Sequence, residues 1–310
     1  MPKRRRSDML NFFLLILIYT CIYSLMAIGQ NVISGYTGML SMCQAGFFAI
    51  GSYATAILAT KCGWSFWATL PVSIALSALF GFLIGLPTLR LKGDYLAIAT
   101  LGFGEIVRNV LNNWDSLTNG PMGIQDVPMA TIFGKKINPY SKVGFLFLCI
   151  VFVVIAYFLF QRLARSRMGR ALEAIREDEI AAASTGINVT KYKVVSFMLG
   201  AGVAGVAGSL QAVFNLSVTP GTYTFMVSVM VLCMIVLGGM GNFLAAILGS
   251  FIIQLISYFP QLTGLSSVIP PQFKQILFGL ILVVMMIWRP QGIMGRREHL
   301  YGADKQGGKK

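Results

Sequence analysis

Charge is what this sequence has least of. Asp, Glu, Lys and Arg make up 12% of its 310 residues, where a soluble domain carries about a quarter. With 56% hydrophobic residues and a mean hydropathy of +0.72, that scarcity excludes an ordinary soluble domain. Histidine occurs once, as His299 in the polar tail. Histidine-based catalysis and metal ligation have almost nothing to draw on, and no metal site is expected. The cysteines (Cys21, Cys43, Cys62, Cys149 and Cys233) form no C-x-x-C pair and sit mostly in apolar runs, which reads as small buried hydrophobes. No G-x-x-x-x-G-K-[ST] occurs, so a phosphate-cradling loop of that kind is missing, and no G-x-S-x-G occurs either. Asp94 and Glu105 alone make no acid–base dyad. We expect no catalytic residue and no cofactor. Ten-residue segments of alternating hydrophobicity, the mark of a membrane barrel, are absent as well.

What is present is a series of apolar runs near the length a helix needs to cross a bilayer. They cover 9–31, 65–89, 95–112, 143–161, 194–214, 222–238, 243–261 and 274–288. The fold class is therefore an all-α polytopic membrane protein, read as a single transmembrane domain over 1–310. Its parts are N-terminal spans over 9–161, a polar segment over 162–193, C-terminal spans over 194–289 and a tail over 290–310. The first run follows a basic head and could be a signal peptide, but no small-residue cleavage site follows and the run is long enough to span. It reads as a first transmembrane helix.

The formal net charge of +14 reads as membrane topology, not as nucleic-acid binding, because Lys and Arg gather on the cytoplasmic side. The head (Lys3, Arg4, Arg5, Arg6), the segment 162–193 (Arg162, Arg165, Arg167, Arg170, Arg176, Lys191, Lys193) and the tail from Arg289 are expected inside. That makes both termini cytoplasmic. The weakly charged 113–142 is expected outside. With the head inside and the span 65–89 starting outside, residues 9–60 must cross an odd number of times. Three crossings need roughly 60 residues plus turns, more than the segment holds. One full span followed by a re-entrant, broken element at 34–60 is the arrangement left. As helix, 45–60 would climb roughly 24 Å.

That element, "SGYTGMLSMCQAGFFAIGSY" (34–53), is apolar, glycine-rich and spotted with polar groups. Irregular backbone at membrane depth is tolerated where it is buried in protein or lines a watery cavity, and broken helices are where transporters place substrates. Gly35, Gly38, Ser41, Gln44 and Gly46 are the candidate lining of a translocation path. The competing reading is a glycine-lined helix-packing face, with Gln44 touching only backbone.

Two further groups stand out. Glu105 and Arg108 lie inside the run 95–112, where charge is costly and is usually paired. Their spacing of three puts them on one helix face, as a structural ion pair or as a site for a charged solute. The stretch "RSRMGRALEAIREDEIAAASTGINVTKYK" (165–193) carries an apolar stripe (Ala171, Leu172, Ala174, Ile175, Ile180, Ala182, Ala183) with charged flanks, the pattern of an amphipathic helix. Its polar face includes Arg170, Glu173, Arg176, Glu177, Asp178 and Glu179. Four carboxylates there disfavour anionic lipid and favour a cytoplasmic protein partner over an interfacial helix. Gly186 is placed to stop the helix, and Asn188 to cap the next span.

These residues resemble a known family. The stretches 34–53, "LPTLRLKGDYLAIATLGFGEIVRNVLNN" (86–113), 165–193 and "VLGGMGNFLAAILGS" (236–250) are similar to the permease subunits of branched-chain amino-acid ABC importers, of the M type. The ending "ILFGLILVVMMIWRPQGIMG" (276–295) resembles them too. The resemblance implies an α-helical importer permease in a bacterial inner membrane, with about eight transmembrane helices plus one broken helix. It implies three kinds of partner besides the lipid bilayer itself: a homologous H-type permease in a heterodimer, a pair of cytoplasmic ATP-binding subunits, and an extracytoplasmic substrate-binding protein. The 165–193 segment becomes the coupling element, through Arg170, Glu173, Arg176, Glu177, Asp178, Glu179 and Gly186. Glu179 to Gly186 is similar to the E-A-A-x-x-x-G loop of other ABC importers, but Ile180 replaces the first Ala. Thr118-Asn119-Gly120 stands where the family usually reads threonine-glycine-glycine. Leucine, isoleucine and valine are the implied substrates, with urea and short amides as alternatives. An ion-coupled secondary transporter is the rival class, and it would need titratable groups at the midplane beyond Glu105. A channel and a lipid-processing enzyme fit less well.

Overall fold

The computed structural model describes residues 2–88, 91, 93–132, 135–136 and 142–262, with 276, 279, 280, 283, 284, 287 and 292–294 beyond them. The apolar run expected at 274–288 therefore lies largely outside the described residues. Helix dominates. In order the elements are α1 (Pro2–Gln30), continued by a π-helical turn over Asn31–Tyr36, α2 (Gln44–Lys61), α3 (Phe66–Thr88), α4 (Asp94–Asn113) and the short α5 (Asp115–Thr118). A two-residue ladder pairs Thr131–Ile132 with Lys135–Lys136. Then come α6 (Lys142–Ala164), α7 (Arg167–Glu177), α8 (Glu179–Ser184), α9 (Val189–Asn215), α10 (Phe225–Gly238) and α11 (Phe243–Leu262).

Among the described residues, five stretches are long and apolar enough to cross a membrane: Leu10–Tyr36, Phe66–Pro87, Lys142–Ala164, Val189–Asn215 and Pro220–Gly238. Phe243–Phe259 is a shorter apolar helix. The other two long helices, α2 and α4, carry more polar residues, and both pack inside the same bundle.

The centre is built from small residues. Helix α9 packs against both α2 and α3. A Cβ added to Gly51 of α2 would strike the backbone of Gly205 on α9 at 2.5 Å. In the same layer Thr55 bonds Ser73 and Ser209, each at 2.8 Å, and Ser52 donates to the Gly208 carbonyl. Hydroxyls on small side chains hold close-packed helices together where the hydrophobic effect between helices is weak.

Helix α1 lies antiparallel to α9, with Tyr19 donating to Asn215 Oδ1 at 3.1 Å and Gly29 packed on Gly200. Its two ends mark opposite faces of the bundle. Lys142, at the start of α6, donates to the Asn11 carbonyl at 2.9 Å. Arg176 of α7 donates to the Gly35 carbonyl at 2.7 Å. This corrects the expectation that the basic head and the 162–193 segment share one face. Charge counting ranks loops, but the direction of α1 is fixed by its packing on α9. The tail residues 293 and 294 do lie on the α7 face, donating to the carbonyls of Leu237 and Gly238.

The re-entrant expectation rested on that shared face and is corrected with it. The chain reaches the α7 face at Tyr36, turns back through non-helical 37–43, and runs up α2 until Lys61 donates to the Ser116 carbonyl on the far face at 2.9 Å. The break is real and buried, but α1 and α2 make two passes, not one and a return. They fit because α2 begins inside the bundle. Gln44 donates to the carbonyl of Met26, ten residues before Tyr36 and so roughly 15 Å along the helix axis.

Candidate functional site

The π-helical turn is the first part of the site. Asn31 within it accepts the Gly241 amide on Oδ1 at 2.9 Å, and Tyr36 stacks on Phe243 with ring centroids 5.0 Å apart. Gly35 is squeezed between them: an added Cβ would lie 2.7 Å from the Gly241 nitrogen and would collide with Asn31 Oδ1. π-turns concentrate at functional positions. Here the turn joins α1 to the 239–242 connection and to α7.

The 37–43 segment re-enters the bundle with its backbone satisfied by side chains. Gln30 donates to the Ser41 carbonyl at 2.6 Å and to Ser34 Oγ at 2.9 Å. Thr37 donates to the Val32 carbonyl. The Met42 amide donates to Thr100 Oγ1 on α4, and the Ala45 amide to Ser228 Oγ on α10. This is how irregular backbone survives at membrane depth. Ser41 is buried with Oγ against Cys43 Sγ at 3.1 Å. Gln44 is buried too, bonded to the carbonyls of Met26 and Gly200. Gly46 packs on the Cα of Gly104, and Gly38 is exposed with φ +73°, against the Arg176 side chain. Of the five residues named for a translocation path, Ser41, Gln44 and Gly46 are thus interior struts of this subunit, while Gly35 and Gly38 meet Arg176 of α7. Sequence reasoning missed Gln30 and Asn31. Two adjacent amides at the end of an apolar run were the available signal.

The 165–193 segment is two helices, not one. Ser166 caps α7, accepting from the Met168 amide at 3.1 Å. Asp178 breaks the helix and caps α8, accepting from Ile180 and Ala181 at 2.8 and 3.0 Å. Gly186 has φ +86° and ends α8. Asn188 caps α9 through the Lys191 amide, as expected. Ala171, Leu172, Ile175 and Ala182 are buried, but Ile180 is 76% exposed. Glu179, expected on a partner-facing surface, instead bonds Lys193 at 2.8 Å and ties α8 to α9. Arg170 and Glu173 border a recess of about 480 Å³, with Tyr36, Arg165, Gly241 and Asn242 among its walls.

Glu105 and Arg108 meet as their spacing implies. Arg108 Nε and Nη2 both reach Glu105 Oε2, at 2.9 and 2.7 Å. Both side chains are about one-third exposed. Helix α4 buries Leu96, Ala97, Thr100 and Val107 and leaves its other side open.

A multi-pass helical bundle, threaded by a broken apolar segment and carrying an amphipathic helix pair on one face, defines a membrane transport permease. The chain belongs to the family described as branched-chain amino acid transport system / permease component, whose model matches residues 12–286. It is 40% identical to the high-affinity branched-chain amino acid transport system permease protein LivM of Salmonella typhimurium, over 89% of this chain and 68% of the relative. The LivM protein of Escherichia coli K12 matches with the same identity and coverage. The permease protein LivH of Escherichia coli K12 is 27% identical over 89% of this chain and 92% of its own length. No solved structure matches the chain.

Proposed function

We propose that this chain is one membrane-spanning subunit of an ATP-driven importer for leucine, isoleucine and valine in a bacterial inner membrane. Its partners are an H-type permease, a pair of ATP-binding subunits on the α7–α8 face, and a substrate-binding protein on the face of residues 114–132. The whole of 1–310 acts as one permease domain, with α7 and α8 as its coupling element. The names of the 40%-identical relatives support the substrate. The LivH likeness supports a related permease as partner. The basic residues Arg162, Arg165, Arg167, Arg170, Arg176, Lys191 and Lys193 support a cytoplasmic α7 face.

The observation that carries the reading is the attachment of α7 to the broken segment, through Arg176 on Gly35. A motor docked on α7 and α8 moves α7. The π-turn moves with it, and so does the 37–43 segment that it anchors. Alternating access follows from that shift, with no covalent chemistry on this chain. Ser41, Gln44 and Gly46 support the wall of the path from behind, while Gly35 and Gly38 pass the motion on.

The test is uptake of labelled leucine and urea by cells lacking their own systems, expressing this chain with its permease partner, ATPases and binding protein. A catalytically dead ATPase serves as control. Leucine uptake that vanishes with the dead ATPase is expected. Urea uptake alone would change the substrate, and uptake that survives the dead ATPase would end the ATP-driven reading.

A further inference from the structure

The geometry points to Glu105 and Arg108 as a transit site for the head group of a zwitterionic amino acid. This rests on the transport reading above and names where the solute is held.

The pair sits about midway along α4, eleven residues and roughly 16 Å from Asp94. Its internal bonding uses a single carboxylate oxygen, Oε2, which takes both Nε and Nη2 of Arg108. Among the described residues no other polar partner of either side chain is found. Glu105 Oε1 and Arg108 Nη1 are therefore open, one an acceptor with negative charge and one a donor with positive charge. Those are the complements of an α-ammonium and an α-carboxylate, and charge-assisted bonds of this kind are the stronger ones.

A pair that only fixed packing would turn inward. This one is one-third exposed on a helix whose buried side is elsewhere. At membrane depth such a pair belongs against a bundle interior or a watery cavity. The open face of α4 is ordered along its length. At helical spacing, Asn109 and Asn112 continue it toward the far face of the bundle. Ile98, Leu101 and Gly102 continue it toward the α7 face. Ile98 is 66% exposed and Ile106, beside the pair, is 62% exposed. A Cβ added to Gly102 would meet nothing within 4 Å. A solute entering from the far side would meet amides first, then a charge pair, then an open apolar stretch. A branched-chain amino acid has its groups in that order, head first and aliphatic chain beyond it.

Two variants in the assembled importer test this. Glu105→Gln with Arg108→Met removes both charges at similar size. Gly102→Leu adds bulk to the apolar stretch at a position where an added Cβ meets nothing within 4 Å. For both, assembly of the complex is checked by co-purification and is expected to stay as in wild type. The leucine concentration for half-maximal uptake should rise about tenfold or more in each, through loss of the charge-assisted bonds in the first and crowding of the aliphatic chain in the second. Arg108→Lys, which keeps the charge, should recover part of the loss. Wild-type leucine uptake by either variant, assembled, overturns the site. If the neutral pair fails to assemble, Gly102→Leu decides alone. Absence of leucine uptake by the wild-type importer is a different failure, that of the transport reading itself.

Discussion

The Nη1 of Arg176 lies 2.7 Å from the carbonyl oxygen of Gly35, across 141 positions of sequence. One residue belongs to a helix outside the apolar bundle, the other to the π-turn that ends its first helix. The bond fixes a polar surface helix to irregular backbone at the bundle's edge, and it makes that edge sensitive to whatever docks on α7.

Arg176→Ala should therefore uncouple more than unfold. A charged donor to a backbone carbonyl contributes about 1.5–3 kcal/mol. We expect ATPase activity in the assembled importer to persist while uptake falls several-fold. Uptake and hydrolysis measured on one vesicle preparation check this. Proportional loss of both would remove the coupling role.

The direction of α1 is open to labelling. With Cys62 replaced, single cysteines at Asn11 and at Gly186 should react with an impermeant maleimide from opposite sides of the membrane. Reaction of both from one side would restore the shared face that charge counting implies and sink the α1–α9 arrangement.

Asp178 separates α7 from α8 by capping. Asp178→Ala is expected to cost about 1 kcal/mol of local stability, and Asp178→Asn little. Hydrogen exchange of the amides at 180–184 should speed up in the first and not in the second. Equal exchange in both would show that the cap is not what holds α8.

Ile180 is a large apolar side chain left open on a charged surface. Ile180→Ala should leave the melting temperature of the isolated permease unchanged and weaken capture of the ATP-binding subunits by more than about 1 kcal/mol, as interface anchors do. Unchanged co-purification would assign that contact to other residues.

Much of the bundle was legible in the sequence because uncharged runs of about twenty residues have few alternatives to a membrane-spanning helix. The ion pair on α4 was legible from a spacing of three, and Gly186 and Asn188 from local stop and cap chemistry. The side on which α1 starts was not. It depends on the match of Gly29 to Gly200 and of Tyr19 to Asn215, contacts between residues far apart in sequence. The split at Asp178 was hidden because its carboxylate reads equally as a face charge or as a cap. Ser41 and Gln44 were identified as polar spots, but whether an amide bonds backbone or faces a solute is settled by its neighbours in space.

The Gly51–Gly205 crossing and the hydroxyl links of Thr55 have a mechanical consequence. Helices α2, α3 and α9 meet backbone to backbone, with few long side chains between them to slide or change rotamer. We expect a disulfide between Ala78→Cys and Gly202→Cys to leave uptake intact. The Ala78 Cβ lies 3.9 Å from a Cβ built on Gly202, within disulfide range. Loss of uptake on oxidation would mean that the layer flexes. A stiff slab of this kind acts as a keel, a fixed body for the α1–α7 junction to move against.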